Sequence, residues 1–162
     1  MRKKILSVAC VLAMSTVAFA QSKGDMAFGG NLNYGSETSL GIGAKFQYGI
    51  TDRLRLEPEI NYYFKKDNVS YWDLGANLHV LFPIASDVTL YPLVGMGYGH
   101  GKADLGDGYT YGDGYFQAKI GVGADFKLSS SWKLNIEPKY QFMDAGDDNG
   151  QFVLSVGLAY SF

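Results

Sequence analysis

The side chains of this 162-residue sequence that could act as acids, bases or nucleophiles are few and scattered. There are two histidines, His79 and His100. Ser70 is the only serine in the longer predicted connections that neighbour the one containing His100. Nucleophilic catalysis needs a base beside a nucleophile and a third group that orients the base, and neither histidine lies in such a motif. The sequence therefore predicts no catalytic residue. A lipid-modifying enzyme that uses His100 is the less favoured alternative.

A second group of potentially reactive residues lies near the C-terminus, where four carboxylate and amide side chains crowd one polar segment: Asp144, Asp147, Asp148 and Asn149. Carboxylate oxygens are the ligands that calcium prefers. The spacing differs from the calcium-loop pattern, however, and Asp, Asn and Gly are the residues that tight turns require. We therefore interpret the segment as a turn, and the sequence predicts neither a metal site nor a cofactor.

Other charged residues alternate with large apolar ones along the chain, six basic against five acidic. An unpaired charge inside a protein is costly, so this near balance favours a mutually paired interior. We predict a lumen charge network that comprises Lys45, Arg55, Glu57, Glu59, Asp73, Lys119, Asp125, Lys127, Lys133, Glu137 and Lys139.

The elements that position this network are strands, because apolar side chains recur at every second position. Eight such runs lie within residues 26–34, 40–50, 54–64, 72–82, 88–98, 116–126, 132–142 and 152–162. Each has about the 9–11 residues of a tilted membrane-spanning strand. Three connections are short, at 51–53, 83–87 and 129–131, and four are generally longer and more polar, at 35–39, 65–70, 100–114 and 143–150.

Three features of the runs predict that the polar face points inward and the apolar face toward lipid. The polar face is rich in glycine, aromatic residues gather at the ends of the apolar face, and that face carries no charge. A soluble periplasmic ligand-binding barrel, with the two faces exchanged, is the alternative. Pro58, Pro92 and Pro138 interrupt the runs, and we expect them at bulges because proline cannot donate to a strand ladder.

The N-terminus has the pattern of a secretory signal peptide: Arg2, Lys3 and Lys4, an apolar segment, and the small-x-small site that ends at Ala20. We expect cleavage there, so that residues 1–20 form the signal peptide and 21–162 the barrel. The formal net charge of −2 lacks the basic excess that binding to nucleic acid requires.

The last eight residues, from Ser155 to Phe162, are similar to the insertion signal of bacterial outer-membrane barrels: a polar residue, glycine two positions later, then alternating hydrophobic residues that end in an aromatic. With the eight runs and the signal peptide, the chain resembles the small OmpA/OmpX-type barrels of Gram-negative bacteria. The resemblance implies an all-β fold, an eight-stranded antiparallel up-and-down transmembrane barrel in outer-membrane lipid. It also implies insertion by the barrel-assembly machinery, which would recognise Gly157, Tyr160 and Phe162.

The functional prediction follows from the size of such a barrel. Eight strands enclose room only for side chains, which disfavours an open diffusion channel. Connections carry function more often than the strands that hold them, and the longest one, 100–114, contains Tyr109 and Tyr111 among glycines and aspartates. Tyrosine and glycine make adaptable contact surfaces. We therefore predict a non-enzymatic protein that is structural or binds an extracellular ligand of unknown identity through this connection.

Overall fold

The computed structural model describes residues 23–66, 68–104, 110–145 and 148–162, and this part of the chain is built from β-strands. The strands are β1 (Met26–Gly35), β2 (Ser39–Gly49), β3 (Leu54–Lys66), β4 (Val69–Val80), β5 (Phe82–Ala85), β6 (Val88–Asp104), β7 (Thr110–Lys127), β8 (Trp132–Ala145) and β9 (Asp148–Ser161). Over these ranges no helix is long and apolar enough to span a membrane. The expected signal peptide, residues 1–20, lies outside them and stays a prediction.

All the strands belong to one antiparallel sheet that closes on itself, because the first strand, β1, pairs with the last, β9, and β4 pairs with β6. β4 and β5 lie end to end along the same side of β6 and share one register, as the pairs Leu78↔Val94 and Phe82↔Leu90 show. β4 and β5 therefore occupy one strand position, and the nine segments form a barrel of eight strand positions. The eight-stranded antiparallel up-and-down barrel is confirmed.

Burial alternates with a period of two along the strands, and the polar side chains are the buried ones. Along β1, Asn31 and Asn33 are buried, whereas Phe28, Leu32 and Tyr34 are each 58% exposed. The barrel interior is thus polar and its outer surface apolar, as predicted. This arrangement contradicts the alternative of a soluble barrel with an apolar ligand cavity.

The prediction that Pro58, Pro92 and Pro138 sit at bulges is wrong, because the register stays constant past all three. Pro58 keeps its pair with Ala76 of β4, but the β2–β3 ladder skips two positions beside it. In an antiparallel sheet the backbone of each residue bonds to one neighbour only, so a missing N–H opens one ladder and spares the other. The other two prolines open the β4–β6 and β7–β8 ladders in the same way.

The longest predicted connection is mostly strand. β6 continues to Asp104 and β7 begins at Thr110, with unbroken pairing from Tyr98↔Phe116 to Asp104↔Thr110. We call residues 99–104 and 110–116 the β6–β7 extension. Apolar alternation marks where lipid ends rather than where a strand ends, because backbone pairing satisfies N–H and C=O groups whatever the side chains are. The polar connections 65–70 and 143–150 are also largely strand for this reason.

Candidate functional site

The barrel interior contains most of the predicted lumen charge network. Nine of its members are buried: Lys45, Arg55, Glu57, Glu59, Asp73, Lys119, Asp125, Glu137 and Lys139. Lys133 is half-buried and Lys127 is exposed, both near the end of the barrel that carries the chain termini and the short turns. We call this the lower end, and the end that carries the β6–β7 extension the upper end.

An upper cluster of two carboxylates and two ammonium groups lies across the middle of the lumen. Glu59 accepts hydrogen bonds from Lys119 at 2.6 Å and from Lys139 at 3.0 and 3.1 Å. Lys119 also donates to Asp73 at 3.1 Å, and Asn61 donates to the same carboxylate oxygen at 3.0 Å. Two positive charges thus face two negative charges, and the cluster is balanced.

A lower cluster is organised around Arg55. Its guanidinium donates to Asp125 and, at 3.0 Å, to Nδ1 of His79. It also lies 4.6 Å from the ring centre of Tyr91, and that ring stacks on His79 with centroids 4.6 Å apart. The hydroxyl of Tyr91 donates to Glu137 at 2.8 Å. Every group around the guanidinium therefore compensates its burial through a charge, a hydrogen bond or a ring face.

Lys45 and Lys139 join the two clusters into one network. The ammonium of Lys45 donates to Glu137 at 3.0 Å and lies 3.5 Å from Glu57, which also accepts a hydrogen bond from Gln47. The ammonium of Lys139 lies 4.0 Å from Glu137 while it bonds to Glu59. Continuous contacts therefore run from the upper cluster to the lower one.

Glu57, His79 and Glu137 bring potential metal ligands within 4.8 Å of one another. The cation between the two carboxylates is already supplied by Lys45. Because Nδ1 of the histidine accepts from Arg55, the ring proton lies on Nε2, which faces Glu57 at 3.7 Å. A protonated nitrogen has no lone pair for a metal. We interpret the group as part of the ionic network rather than as a metal centre.

The sequence analysis missed a stack of three tyrosines at the upper end of the lumen. The rings of Tyr63 and Tyr71 lie 5.3 Å apart, and the rings of Tyr71 and Tyr115 lie 5.7 Å apart and nearly parallel. Tyr71 donates to Gln117 at 3.0 Å. These tyrosines sit two residues from Asn61, Asp73 and Gln117, respectively, in the same alternation. Side chains two residues apart in a strand point to the same face, so this spacing identifies the tyrosines as inward-facing.

Glycines in the walls provide the space that these rings occupy. A Cβ atom on Gly123 would overlap the ring of Tyr91, and one on Gly41 would lie 2.8 Å from the ring of Tyr63. Real Cβ atoms do not approach other atoms so closely. The glycine-rich polar face is therefore a packing requirement of a narrow lumen filled with large side chains.

The residues considered for catalysis are not arranged as a catalytic group. His79 is buried in the lower cluster, whereas His100 lies beside Trp72, with ring centroids 5.9 Å apart. Ser70 is opposite Lys102 in the β4–β6 ladder. In the described ranges, no hydrogen bond joins His100 to a hydroxyl or to a carboxylate. Among His79, His100 and Ser70, all within the described residues, no base lies beside a nucleophile.

The remaining predicted residues lie at the two ends of the barrel. Tyr109 falls outside the described residues, and the backbone of Tyr111 lies in β7 opposite Ala103. Asp147 also falls outside, so the interpretation of that segment as a turn without calcium stays a prediction. At the lower end, Tyr160 packs edge-on against Trp132 at 5.2 Å, and Phe162 is 71% exposed. Gly157 of β9 lies opposite an asparagine on each neighbouring strand.

Comparison with solved structures shows the same architecture in small outer-membrane barrels. Neisserial surface protein A is 16% identical with a TM-score of 0.70, and 87% of this chain and 98% of that one are covered. The N-terminal barrel of OprF from Pseudomonas aeruginosa is 17% identical with a TM-score of 0.65, covering 88% and 100%. Ail of Yersinia pestis, in complex with the heparin analogue sucrose octasulfate, is 17% identical with a TM-score of 0.57, covering 86% and 97%.

At these identities the structural likeness shows the fold alone. Among curated proteins none matches the chain significantly. The family model for outer membrane protein beta-barrel domains, in contrast, matches residues 6–162. The upper end of the barrel is thus extracellular and the lower end periplasmic. The chain belongs to this family of Gram-negative outer-membrane barrels, and it spans the outer membrane with its apolar face against lipid.

Proposed function

We propose that this protein is a non-enzymatic outer-membrane anchor whose β6–β7 extension binds an extended polypeptide outside the cell. One observation carries the proposal. Residues 110–116 of β7 pair with β6 on one side, whereas the β7–β8 ladder begins only at Gln117↔Met143. The other side of this segment is a strand edge without a neighbouring strand in the described ranges. Such an edge is a template for an added strand.

The direction of the backbone groups at this edge follows from the prolines below it. The gap in the β4–β6 ladder shows that the backbone of Pro92 faces β4 and not β7. Val122, which lies opposite Pro92 in β7, therefore directs its own N–H and C=O away from β6 and toward β8. The register is constant up to Thr110, so Gly112 and Gly114 also point away from β6. In agreement, the N–H of Gly114 donates to the Asp113 side chain at 2.9 Å. The free edge therefore offers backbone groups at alternate residues.

The side chains of this region favour a polypeptide over a polyanion. The solved Ail complex contains a sulfated heparin analogue. In this chain, residues 102–114 contain three aspartates, Asp104, Asp107 and Asp113, and only one lysine, Lys102. Like charges would repel a sulfated ligand. The sequence of the same segment contains Tyr109 and Tyr111, and tyrosine makes adaptable contacts with polypeptides.

A peptide selection tests this proposal. Phage-displayed random heptapeptides would be selected against the protein in lipid nanodiscs, with empty nanodiscs as the counter-selection. We expect enriched peptides that bind the wild type and lose at least tenfold in affinity to Gly112→Pro, because proline removes an outward N–H. Lys127→Gln, a change at the periplasmic end of β7, should bind as the wild type does. Equal binding to the proline variant, or no enrichment, contradicts the proposal.

We also propose that the barrel-assembly machinery recognises the last residues of the chain through Gly157, Tyr160 and Phe162. The outward exposure of Tyr160 and Phe162 at the periplasmic end supports this, since both aromatics are accessible there. Phe162→Ser should lower the amount of heat-modifiable barrel in cells several-fold, while refolding of the purified chain into detergent stays unchanged. A matching loss in detergent would mean that the residue acts only through packing.

We further propose export through the signal peptide 1–20. The family match begins at residue 6, within this segment, and the apolar stretch after Lys4 supports the proposal. Mass spectrometry of the protein purified from outer membranes should find a chain that begins at Gln21. A chain that retains Met1 or residues 2–20 contradicts the prediction.

A further inference from the structure

On the outward face of the β6–β7 extension, two glycines leave β7 without side chains of its own. Gly112 and Gly114 share the face of Phe116, which is 76% exposed, because side chains two residues apart point the same way. A Cβ atom on Gly112 would lie 2.7 Å from Nε2 of His100. One on Gly114 would overlap the hydroxyl of Tyr98. Two rings that begin on β6 therefore extend over the backbone of β7, the strand that forms the free edge.

A strand added to this edge would place its outward side chains beside these rings. Neighbouring strands lie about 4.8 Å apart, and directly opposite side chains have Cβ atoms about 5 Å apart. Because the two glycines have no side chain, an outward side chain of the partner would meet the rings of His100 and Tyr98 instead. Tyr98 also packs edge-on against Phe116, with ring centroids 5.9 Å apart. Such a surface favours apolar side chains at the outward positions of the partner.

The inward face of the same segment is acidic. A cavity of about 250 Å³ lies there, and its lining includes Asp113 and Tyr115 of β7, Gly101 of β6 and Asp144 of β8. No basic residue lines this cavity, and neither carboxylate forms an ion pair within the described ranges. Basic side chains of a partner would complement these two negative charges.

Asp113 connects this acidic face with the free edge itself. Its side chain accepts a hydrogen bond at 2.9 Å from the N–H of Gly114, which points away from β6. A carbonyl group of an added strand would replace the carboxylate as the acceptor of this N–H, so that the carboxylate could pair with a side chain of the partner. Successive side chains of a strand point to opposite faces. The positions of the partner that face Asp113 therefore alternate with those that face the rings.

We propose that the partner of the β6–β7 extension is an extended segment in which basic side chains alternate with apolar ones. Its apolar side chains lie against His100 and Tyr98, and its basic side chains face Asp113 and Asp144. This inference rests on the proposed strand addition and adds to it the chemistry and the order of the partner's side chains.

Labelled heptapeptides test the inference by fluorescence anisotropy, with the protein in phosphatidylcholine nanodiscs. The alternating peptide is Val-Lys-Val-Lys-Val-Lys-Val, and the block peptide, Val-Val-Val-Val-Lys-Lys-Lys, has the same composition and charge. We expect the alternating peptide to bind at least tenfold more tightly than the block peptide, which cannot keep its lysines on one face. An alternating peptide with glutamate in place of lysine should bind at least tenfold more weakly. Threonine in place of valine keeps the shape but adds a hydroxyl, and should weaken binding at least threefold.

Variants of the protein test each face separately. Asp113→Asn keeps an oxygen that can accept from Gly114 and should weaken binding of the alternating peptide about threefold, because an exposed ion pair contributes little. Asp87→Asn removes the same charge from an exposed position at the periplasmic end and should leave binding unchanged. His100→Ala should remove most of the preference for valine over threonine.

Failure of this inference can be distinguished from failure of the strand addition. If library-selected peptides bind and depend on Gly112, but the alternating and block peptides bind equally, only the inferred pattern of side chains is wrong. Equal binding of the lysine and glutamate peptides, or equal binding by the wild type and Asp113→Asn, would also overturn the inference. Absence of binding by every peptide, selected or synthetic, would overturn both proposals.

Discussion

The barrel wall inside the membrane and the β6–β7 extension outside it are built from the same two strands but obey different constraints. In the wall, Lys119 has two carboxylate partners and Gly123 makes room for one specific ring. In the described part of the extension, β7 pairs with a strand on one side only, and a Cβ atom on Gly101 would meet nothing within 4 Å. Charge compensation across the lumen therefore constrains the wall, whereas the extension combines tightly packed glycines (Gly99, Gly112 and Gly114) with open space at Gly101 and with an edge of β7 that has no paired strand in the described ranges.

The largest effect in this comparison should come from removing a buried carboxylate of the wall. Glu59→Gln leaves Lys119 and Lys139 with too little negative charge, and we expect a loss of about 3–5 kcal/mol in the free energy of unfolding. Urea unfolding in detergent, followed by the gel shift on boiling, measures it. Asp113→Asn makes the same chemical change in the extension and should cost within about 0.5 kcal/mol.

The double variant Glu59→Gln/Lys139→Met sharpens this test. It removes one charge of each sign and should recover part of the lost stability, because Lys119 keeps Asp73 as its partner. A single variant as stable as the wild type would show that the lumen tolerates uncompensated charge, and the contrast between wall and extension would fail.

A smaller difference is expected between two glycines on neighbouring strands. Gly123→Ala places a methyl group against the ring of Tyr91 and should cost about 1–3 kcal/mol. Gly101→Ala, in the extension, meets open space and should be neutral or slightly stabilising. Urea unfolding of the two variants measures their free energies of unfolding, and similar losses for both substitutions would refute the packing explanation.

The smallest effect on stability should come from the predicted contact residue in the extension. Residue 111 lies beyond the last β7–β8 pair, so we expect Tyr111→Ser to change the free energy of unfolding by no more than about 0.5 kcal/mol. The same variant should weaken binding of the selected heptapeptides several-fold. A strong loss of stability with unchanged peptide binding would assign this tyrosine to the wall instead.

The sequence alone predicted the features that depend on alternation. The eight strand positions, the inward polar face and the outward apolar face all follow from apolar side chains at every second residue, together with the absence of charge on that apolar face. The ionic partners could not be predicted, because Lys45 and Glu137 are 92 residues apart and meet across the lumen. Pairing of this kind depends on strand tilt and stagger, which local periodicity does not encode.

The extension and the prolines escaped prediction for different reasons. Residues 100–114 lack apolar alternation, and a strand in water does not need it, so the pattern stopped where the lipid stops. The sequence places Pro58 at a bulge because proline cannot donate to a strand ladder, whereas the structure keeps the register and opens only the ladder to β2. The inward direction of Tyr63 is readable from Asn61, which lies two residues before it in the same strand.

The cross-lumen ion pairs link charge compensation to closure of the barrel. Glu59 of β3 finds its partners on β7 and β8, and Arg55 of β3 finds Asp125 on β7, at separations of 60 to 80 residues. β3 is a neighbour of neither β7 nor β8 in the sheet. An open sheet would carry these ions uncompensated, and a one-residue slip would turn them toward lipid. The network thus ties the neutrality of the interior to the closed state, because only the closed barrel in the correct register brings these opposite charges together.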